Sequence, residues 1–355
     1  MKLLLVARRY PPDVLSGTET VFACLYAQAR RHHEVRLVVG FRGARERVPS
    51  EAVAVDLRGV PAGVAHARMY AAAREEVRRF QPDAILSNSV ELVFGEAPTV
   101  VIVHDLNFGQ AGRGIGALIR EQFYRLQCRR AAAVVAVSRA TQEALAQHGI
   151  SKRVHVVHNG VDLERFAATP PPATPPLRFL VPGRILSGKG QHVALDAFGR
   201  MRPDQRAGLE LEIAGAIADP MYADQLRLQA FKLPVRFAFD VPDLVPHYQA
   251  AHVVLFPTRM VEGFGFAAVE GMAAGRPVIW SEQPAIREAT GGVGVPVPGD
   301  DPVALREQML RLAADPALRE RLGREGRAYV ETLTWANAWR SYEAVLDAAR
   351  QRRSE

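Results

Sequence analysis

The sequence predicts an α/β protein built from two doubly wound domains. Three observations predict it. Short runs of Val, Ile, Leu and Ala alternate with amphipathic stretches of helical period; the alternation stops once, near the middle, at a proline-rich segment; it then restarts. The 355 residues suffice for two domains with separate cores. A hydrophobic fraction of 48% excludes wholesale disorder.

In the first half, residues 3–7, 35–39, 84–87, 100–104 and 134–138 read as strands buried on both faces. Residues 18–30, 63–80, 115–130 and 141–148 read as the helices between them. Such alternation requires a parallel sheet covered by helices. Residues 168–176 hold five prolines in nine positions, which neither a helix nor a central strand tolerates. They read as a semi-rigid linker. Beyond it, residues 178–181, 209–214, 235–239, 253–256 and 277–280 read as strands. Residues 191–201, 222–230, 244–251, 265–274 and 303–314 read as helices. Residues 335–350 form a long amphipathic helix with Trp335, Trp339, Tyr342, Val345 and Leu346 near one face. The domains expected are 1–167, the linker 168–176, 177–334, and a terminal helix, 335–355. Ligands of open α/β sheets bind beyond the carboxyl ends of the strands, so two such domains point to a cleft between them.

The longest strictly apolar run, residues 131–137, is far short of the ~20 needed to span a bilayer. The opening residues carry too brief an apolar run for a signal peptide. Cys24 and Cys128 are the only cysteines, so no disulfide framework is expected, and a cytoplasmic setting follows. Residues 1–175 carry 23 Lys and Arg against 16 Asp and Glu, whereas residues 176–355 carry 22 of each. The basic half suggests an anionic partner. An Arg-rich composition from a high-GC genome explains the bulk charge equally well.

Four segments carry chemistry. Glu262 and Glu270 are separated by seven residues and enclose Gly263, Phe264, Gly265 and Phe266. The glycines allow close backbone approach, and a helix starting there would attract phosphate. Glu270 could bind the vicinal hydroxyls of a ribose. A glycine turn with two surface glutamates is the plainer account. Arg184 and Lys189 bracket a loop after the strand at 178–181 and could neutralise a diphosphate, or be two solvated bases in a turn. The loop lacks the P-loop pattern. Gly17, between Ser16 and Thr18, permits close approach, although a helix cap explains its neighbours. His104, beside Asp105 at a strand end, could touch substrate or be structural. No Gly-x-Gly-x-x-Gly follows the first strand, which counts against an oxidoreductase. No Asp-x-Asp and no metal-ligand spacing occurs, so no metal or other cofactor is expected.

In this order the motifs resemble family 4 of the glycosyltransferases, retaining and metal-independent enzymes of the GT-B fold. The resemblance runs through Ser-Gly-Thr-Glu at 16–19, Val-His-Asp at 103–105, Val-Ala-Val-Ser-Arg at 135–139 and Asn-Gly-Val-Asp at 159–162. It continues through Gly-Arg-Ile with Lys-Gly at 183–190, Ala-Gly at 214–215, Glu-Gly-Phe-Gly at 262–265 with Glu270, and Ala-Ala-Gly-Arg-Pro-Val-Ile at 273–279. It implies two Rossmann-like domains facing across a cleft, the second holding a nucleotide-diphosphate sugar. Arg184 and Lys189 would bind the diphosphate and Glu270 the ribose. Glu262 and the backbone of 263–266 would hold the donor sugar. Gly17 would approach the phosphates, and His104 would lie near the transferred sugar. The first domain would bind the acceptor, and the last helix would cross back to it. Four positions depart from the family pattern: Ser16, Phe239, His252 and Trp280.

The resulting expectation is hexose transfer from GDP-mannose, with a UDP-sugar next, to a glycan or lipid-linked glycan, as in polysaccharide biosynthesis. A sugar-nucleotide epimerase, another GT-B enzyme or a non-catalytic nucleotide-sugar-binding protein are the alternatives. Arg113, Arg120, Arg125, Arg129 and Arg130 lie on or beside the helix at 115–130, with Leu118, Ile119, Phe123 and Leu126. This reads either as an interfacial helix giving peripheral membrane contact or as a core-facing helix with a basic outer face. Nucleic acid is not expected as a partner, since no recognition motif accompanies the charge.

Overall fold

The computed structural model describes residues 1–10, 17–43, 45, 48–104, 115–173 and 175–354, without the side chains of residues 115, 353 and 354. Pro11, Pro12, Ser16, Asp105, Arg113 and Thr174 lie outside the described residues. The chain divides into two compact units, residues 1–160 with 335–355, and residues 161–334.

The first unit contains β1 (Lys2–Ala7), α1 (Gly17–Ala29), β2 (Glu34–Phe41), β3 (Val53–Asp56), α2 (Ala62–Phe80), β4 (Ala84–Ser87) and β5 (Thr99–Val103). It continues with α3 (Ile115–Arg130), β6 (Ala133–Ala136), α4 (Arg139–Gln147) and β7 (Val154–Val156). Its seven strands lie in the order β3-β2-β1-β4-β5-β6-β7. All pairs are parallel, with Leu3 opposite Val35 on one side and Ala84 on the other. Leu3, Leu4, Leu5 and Val6 are fully buried. An unbroken apolar run is what a strand covered by helices on both faces demands. The edge strands β3 and β7 add to the strands the sequence predicts. They are four and three residues long and only partly buried, so they carry little of the hydrophobic signal.

The second unit contains β8 (Leu177–Pro182), α5 (Gln191–Gly199), α6 (Pro203–Arg206), β9 (Leu209–Gly215), α7 (Pro220–Gln229), β10 (Val235–Phe239), α8 (Val245–Ala250) and β11 (Val253–Phe256). It continues with α9 (Phe266–Ala273), β12 (Val278–Ser281), α10 (Pro284–Thr290), β13 (Val295–Val297), α11 (Pro302–Ala314) and α12 (Pro316–Val330). The six parallel strands take the order β10-β9-β8-β11-β12-β13. Helices α6, α10 and α12 and strand β13 are additional to the predicted elements. Three helices open on an Asp N-cap followed by Pro: Asp219 accepts from Tyr222 N–H, Asp301 from Val303 and Ala304 N–H, and Asp315 from Leu318 N–H. Proline at the first helical position is pre-organised for the helix, so a residue that breaks helices elsewhere begins them here.

Three arginines close helix carboxyl ends. Arg276 donates to Tyr248 O and Gln249 O at the end of α8. Arg319 donates to Ala313 O at the end of α11, and Arg327 donates to Ala273 O at the end of α9. A cation there satisfies orphan carbonyls and opposes the helix dipole. The proline-rich stretch is tied to this unit: Arg276 donates to Thr169 Oγ1, and His252 Nε2 donates to Pro172 O.

Helix α13 (Trp335–Ser354) returns to the first unit and packs on α1, β4 and β5. Trp335, Trp339, Tyr342, Val345 and Leu346, the predicted apolar face, are all buried. His33 Nε2 meets Glu343 Oε1 at 2.7 Å beside Trp339.

Candidate functional site

Strand order in an open parallel sheet reverses at one point, and the loops there diverge to leave a crevice. In the second unit this point lies between β8 and β11, which pair through Phe179–Val253 and Leu180–Val254. The loop after β8 carries Arg184 and Lys189; the loop after β11 carries Glu262 to Phe266.

The two loops are joined along their backbones. Arg259 and Met260 N–H both donate to Gly188 O, at 2.8 and 3.0 Å. Lys189 ends a 3-10 turn, Ser187–Lys189, and Gly190 follows with φ of 74°. A Cβ at Gly190 would lie 1.8 Å from Pro257 O, so only glycine fits the crossing.

Lys189 Nζ sits 2.7 Å from Glu262 Oε1, and the Thr258 hydroxyl donates to the same oxygen at 2.7 Å. The Phe256 ring lies 5.8 Å from the ammonium, within reach of a cation–π contact. Gln283, just before α10, grips the Glu262 loop from behind. Its Oε1 accepts from Glu262 N–H, and its Nε2 donates to Met260 O and Thr258 O. Arg184 is exposed and makes no ion pair among the described residues. Its carbonyl accepts from the buried Gln191 side chain at 2.8 Å.

Helix α9 begins after Gly265, whose φ of 106° turns the chain into the helix. No side chain caps this end. Phe264 is buried with its ring 5.3 Å from that of Phe266, so its backbone rather than its side chain is available to a ligand. Gly263 is half-buried. Glu270, in the middle of α9, belongs to a second network. Tyr248 OH donates to Glu270 Oε2 at 2.8 Å, and Arg276 holds the Tyr248 carbonyl. Burial pushes the Glu270 carboxyl up to about 7, against the lowering pull of the Tyr248 hydrogen bond and Arg165. Arg165 itself pairs with Asp243 at 2.8 Å.

Gly17 and His104 belong to the first unit. Gly17 opens α1, and His104 follows β5. His104 is half-buried; its Nε2 lies 2.6 Å from Asn88 Oδ1, and burial lowers its pKa to about 4, so the ring is neutral at pH 7. Thr258, Gln283, Tyr248 and Asn88 escape the sequence reading. They lie outside the motifs used there and meet their partners only through the folded chain. Trp280 is fully buried and donates to Val293 O, so its bulk belongs to the core. Phe239 is half-buried at the end of β10, with Arg227 over its ring at 4.9 Å. Among the described residues, no three His, Cys, Asp or Glu side chains are grouped to hold a metal, and no helix is long and apolar enough to cross a membrane.

A family profile described as Glycosyltransferase Family 4 matches residues 15–165, and one described as Glycosyl transferases group 1 matches residues 176–315. A D-inositol 3-phosphate glycosyltransferase of Streptomyces avermitilis is 31% identical over 247 residues, 62% of this chain and 53% of the relative. The chain thus spans about half the length of the curated relatives it matches. HepE of Anabaena, solved in complex with UDP, aligns with a TM-score of 0.80 at 18% identity over 98% of this chain and all of that one. Sucrose-phosphate synthase of Thermosynechococcus elongatus aligns with a TM-score of 0.79 at 20% identity over 99% and 98%. These likenesses give the fold as GT-B. Two glycosyltransferase profiles, one on each half, thus together match most of the chain, and the one on the first half is that of family 4.

Proposed function

We propose that the protein transfers a hexose from a nucleotide-diphosphate sugar to a glycan or lipid-linked glycan, with retention and without a metal ion. The observation that carries this reading is the pairing of Lys189 with Glu262 where the loops after β8 and β11 cross. A cation and a hydroxyl-binding carboxylate then share one crevice of the second unit. Lys189 and Arg184 would neutralise the diphosphate, Glu262 and the backbone of 263–266 would take the donor sugar, and Glu270 would accept from the ribose. The uncapped start of α9 adds its dipole to the same charge.

Bond breaking at the anomeric carbon builds charge on the departing phosphate oxygen. Fixed cations and amides aimed at that oxygen lower the barrier without rearranging during the reaction. For retention the acceptor hydroxyl attacks from the leaving-group face, and the diphosphate takes its proton. Two donors head the list: GDP-mannose, from the Val-His-Asp resemblance, and UDP-glucose, because HepE was solved with it.

Membrane contact through α3 is part of the same reading. Leu118, Ile119, Phe123 and Leu126 are 56, 62, 40 and 52% exposed. That favours an interfacial face over a core-facing one, with Arg129 and Arg130 in the last turn.

A thermal-shift panel of UDP-glucose, GDP-mannose, ADP-glucose and dTDP-glucose, each with and without EDTA, tests the donor reading. One sugar nucleotide should raise Tm equally in both conditions, since a ligand bound only by the folded state stabilises it. No shift with any of them at millimolar concentration would refute the reading.

A further inference from the structure

The second unit holds a cavity of about 950 Å³ at the sheet edge opposite the loops of Lys189 and Glu262. Its lining includes Leu177, which begins β8, and Gly208, His252 and Pro277, which immediately precede β9, β11 and β12. Those are the amino ends of parallel strands, whereas Lys189 and Glu262 follow carboxyl ends. All lining residues fall between 168 and 331, inside this one unit.

The proline-rich stretch forms the apolar wall through Pro170, Pro171, Pro172 and Pro175, joined by Leu177 and Pro277. Arg276 Nη2 donates to Thr169 Oγ1 at 3.1 Å and His252 Nε2 to Pro172 O at 2.9 Å, so the wall is tied down at two points. His252 Nδ1 accepts from Arg178 N–H at 3.0 Å, which leaves the ring hydrogen on Nε2.

The charged lining is Arg276, Arg319, Arg324 and Arg327 against Glu320 and Glu331. Arg324 pairs with Glu320, and Arg327 with Glu331. Arg276 and Arg319 form no ion pair among the described residues, so two positive charges stay unmatched. Arg276 is 2% exposed; Nε and Nη2 donate to Tyr248 O, Gln249 O and Thr169 Oγ1, and Nη1 has no partner among the described residues. Arg319 donates through Nη1 to Leu312 O and Ala313 O, and its Nε and Nη2 have no partner there either. Burial lowers the pKa of both, Arg276 to about 10 and Arg319 despite Asp315. Burial, and then Arg319 and Arg276 themselves, lower the pKa of His252 against the pull of Pro172 O, so both cations lie near one ring. Buried cations of this kind are stabilised when an anion joins them.

We propose that this cavity binds a phosphate monoester carried on an apolar body, with the phosphate at Arg276 and Arg319 and the body against the proline wall. A guanidinium matches two phosphate oxygens at once. A phosphate monoester carries about two negative charges near neutral pH, equal to the unmatched pair, whereas a carboxylate would leave one cation over. The volume stands at the upper end for small-molecule sites and calls for more than a bare ion. The assignment is independent of the glycosyltransferase reading.

Calorimetric titration of the full-length protein tests it with 1-naphthyl phosphate as a compact probe and dodecyl phosphate, below its micelle concentration, as a lipid-like one. At least one should bind with a Kd of about 1 mM or tighter, and the tighter of the two tells a soluble metabolite from a lipid. 1-Naphthol and inorganic phosphate, each lacking half of the ligand, should bind about 10-fold more weakly or not at all. Arg319→Gln should weaken the phosphate probe by about 10-fold or more. Ala328→Trp, at an exposed lining position of α12, should block it while sparing every arginine. Glu331→Gln frees Arg327 and should tighten binding about threefold, a gain that misfolding cannot mimic. Lys189→Ala should bind as the parent does, because its loop lies at the other sheet edge. The proposal is overturned if neither phosphate binds at millimolar concentration, if 1-naphthol binds as tightly as its phosphate, or if Lys189→Ala abolishes binding. Parental affinity in both Arg319→Gln and Ala328→Trp would overturn it as well.

Discussion

Glu270 shows how one half-buried carboxylate links binding and stability to pH. Its folded pKa of about 7 lies above the ordinary value, because burial penalises the charged form. The folded chain therefore holds a proton that the unfolded chain has released. Stability falls as pH rises from the ordinary carboxylate range to about 7, and is level above it. Glu270→Gln removes the ionisation, so the gap in Tm between variant and parent should widen in the variant's favour from pH 5 to 7.5. Donor affinity should run the other way. A carboxylate accepts ribose hydroxyls better than a carboxylic acid, so calorimetric titration with the donor should show weaker binding at pH 6 than at pH 8, and Glu270→Gln should flatten the dependence. Lys189→Ala should cut donor turnover on the order of 100-fold, the usual effect of removing one preorganised charge-stabilising group. Near-parental turnover at saturating donor, with Tm retained, would remove Lys189 from the diphosphate.

Among the elements, α3 differs most from its neighbours. Strands β1 and β5 bury nearly every side chain, whereas α3 leaves four large apolar residues exposed. Leu118, Ile119, Phe123 and Leu126 recur at intervals that place them on one side of a helix. Arginines near such a stripe favour anionic headgroups. Phe123→Asp with Leu126→Asp should lower flotation with phosphatidylglycerol vesicles at low salt by about 10-fold or more, leaving Tm unchanged within a degree or two, since exposed substitutions cost little stability. Equal flotation of parent and variant, or none by the parent, would count against membrane contact. The junction at Gly190 shows the opposite sort of element. Two loops from different strands meet so closely there that no side chain is admitted.

Over the whole molecule, each unit closes its own sheet, and the first is completed by a helix from the far end of the chain. Trp339 is buried beside His33, with its ring nitrogen unpartnered among the described residues. Trp339→Ala should destabilise the first unit by about 3–5 kcal/mol, the cost of emptying a large core position. Denaturant unfolding should show this as a separate early transition, provided the second unit, whose cluster of buried residues around β8, β9 and α5 includes none from α13, holds independently. A single unshifted transition would mean that α13 contributes little to the first unit.

The linear chain by itself determined the alternation of buried strands and helices and the presence of two units, though not that the second begins at Val161 and includes the proline-rich stretch; it also singled out Arg184, Lys189, Glu262 and Glu270 as candidates. Apolar runs and glycines write those features locally. Short edge strands such as β13 stayed illegible, because three residues, one half-buried, one exposed and one buried, with a central proline carry almost no periodic signal. Helix α12 was missed although Asp315 and Pro316 announce it. Folding decided the rest: that Thr258 and Gln283 brace Glu262, that Tyr248 grips Glu270, and that Asn88 faces His104. Apart from Thr258, which shares its loop with Glu262, those partners lie on separate loops and elements. A hydrogen bond depends on distances within about 3 Å, which only tertiary packing sets.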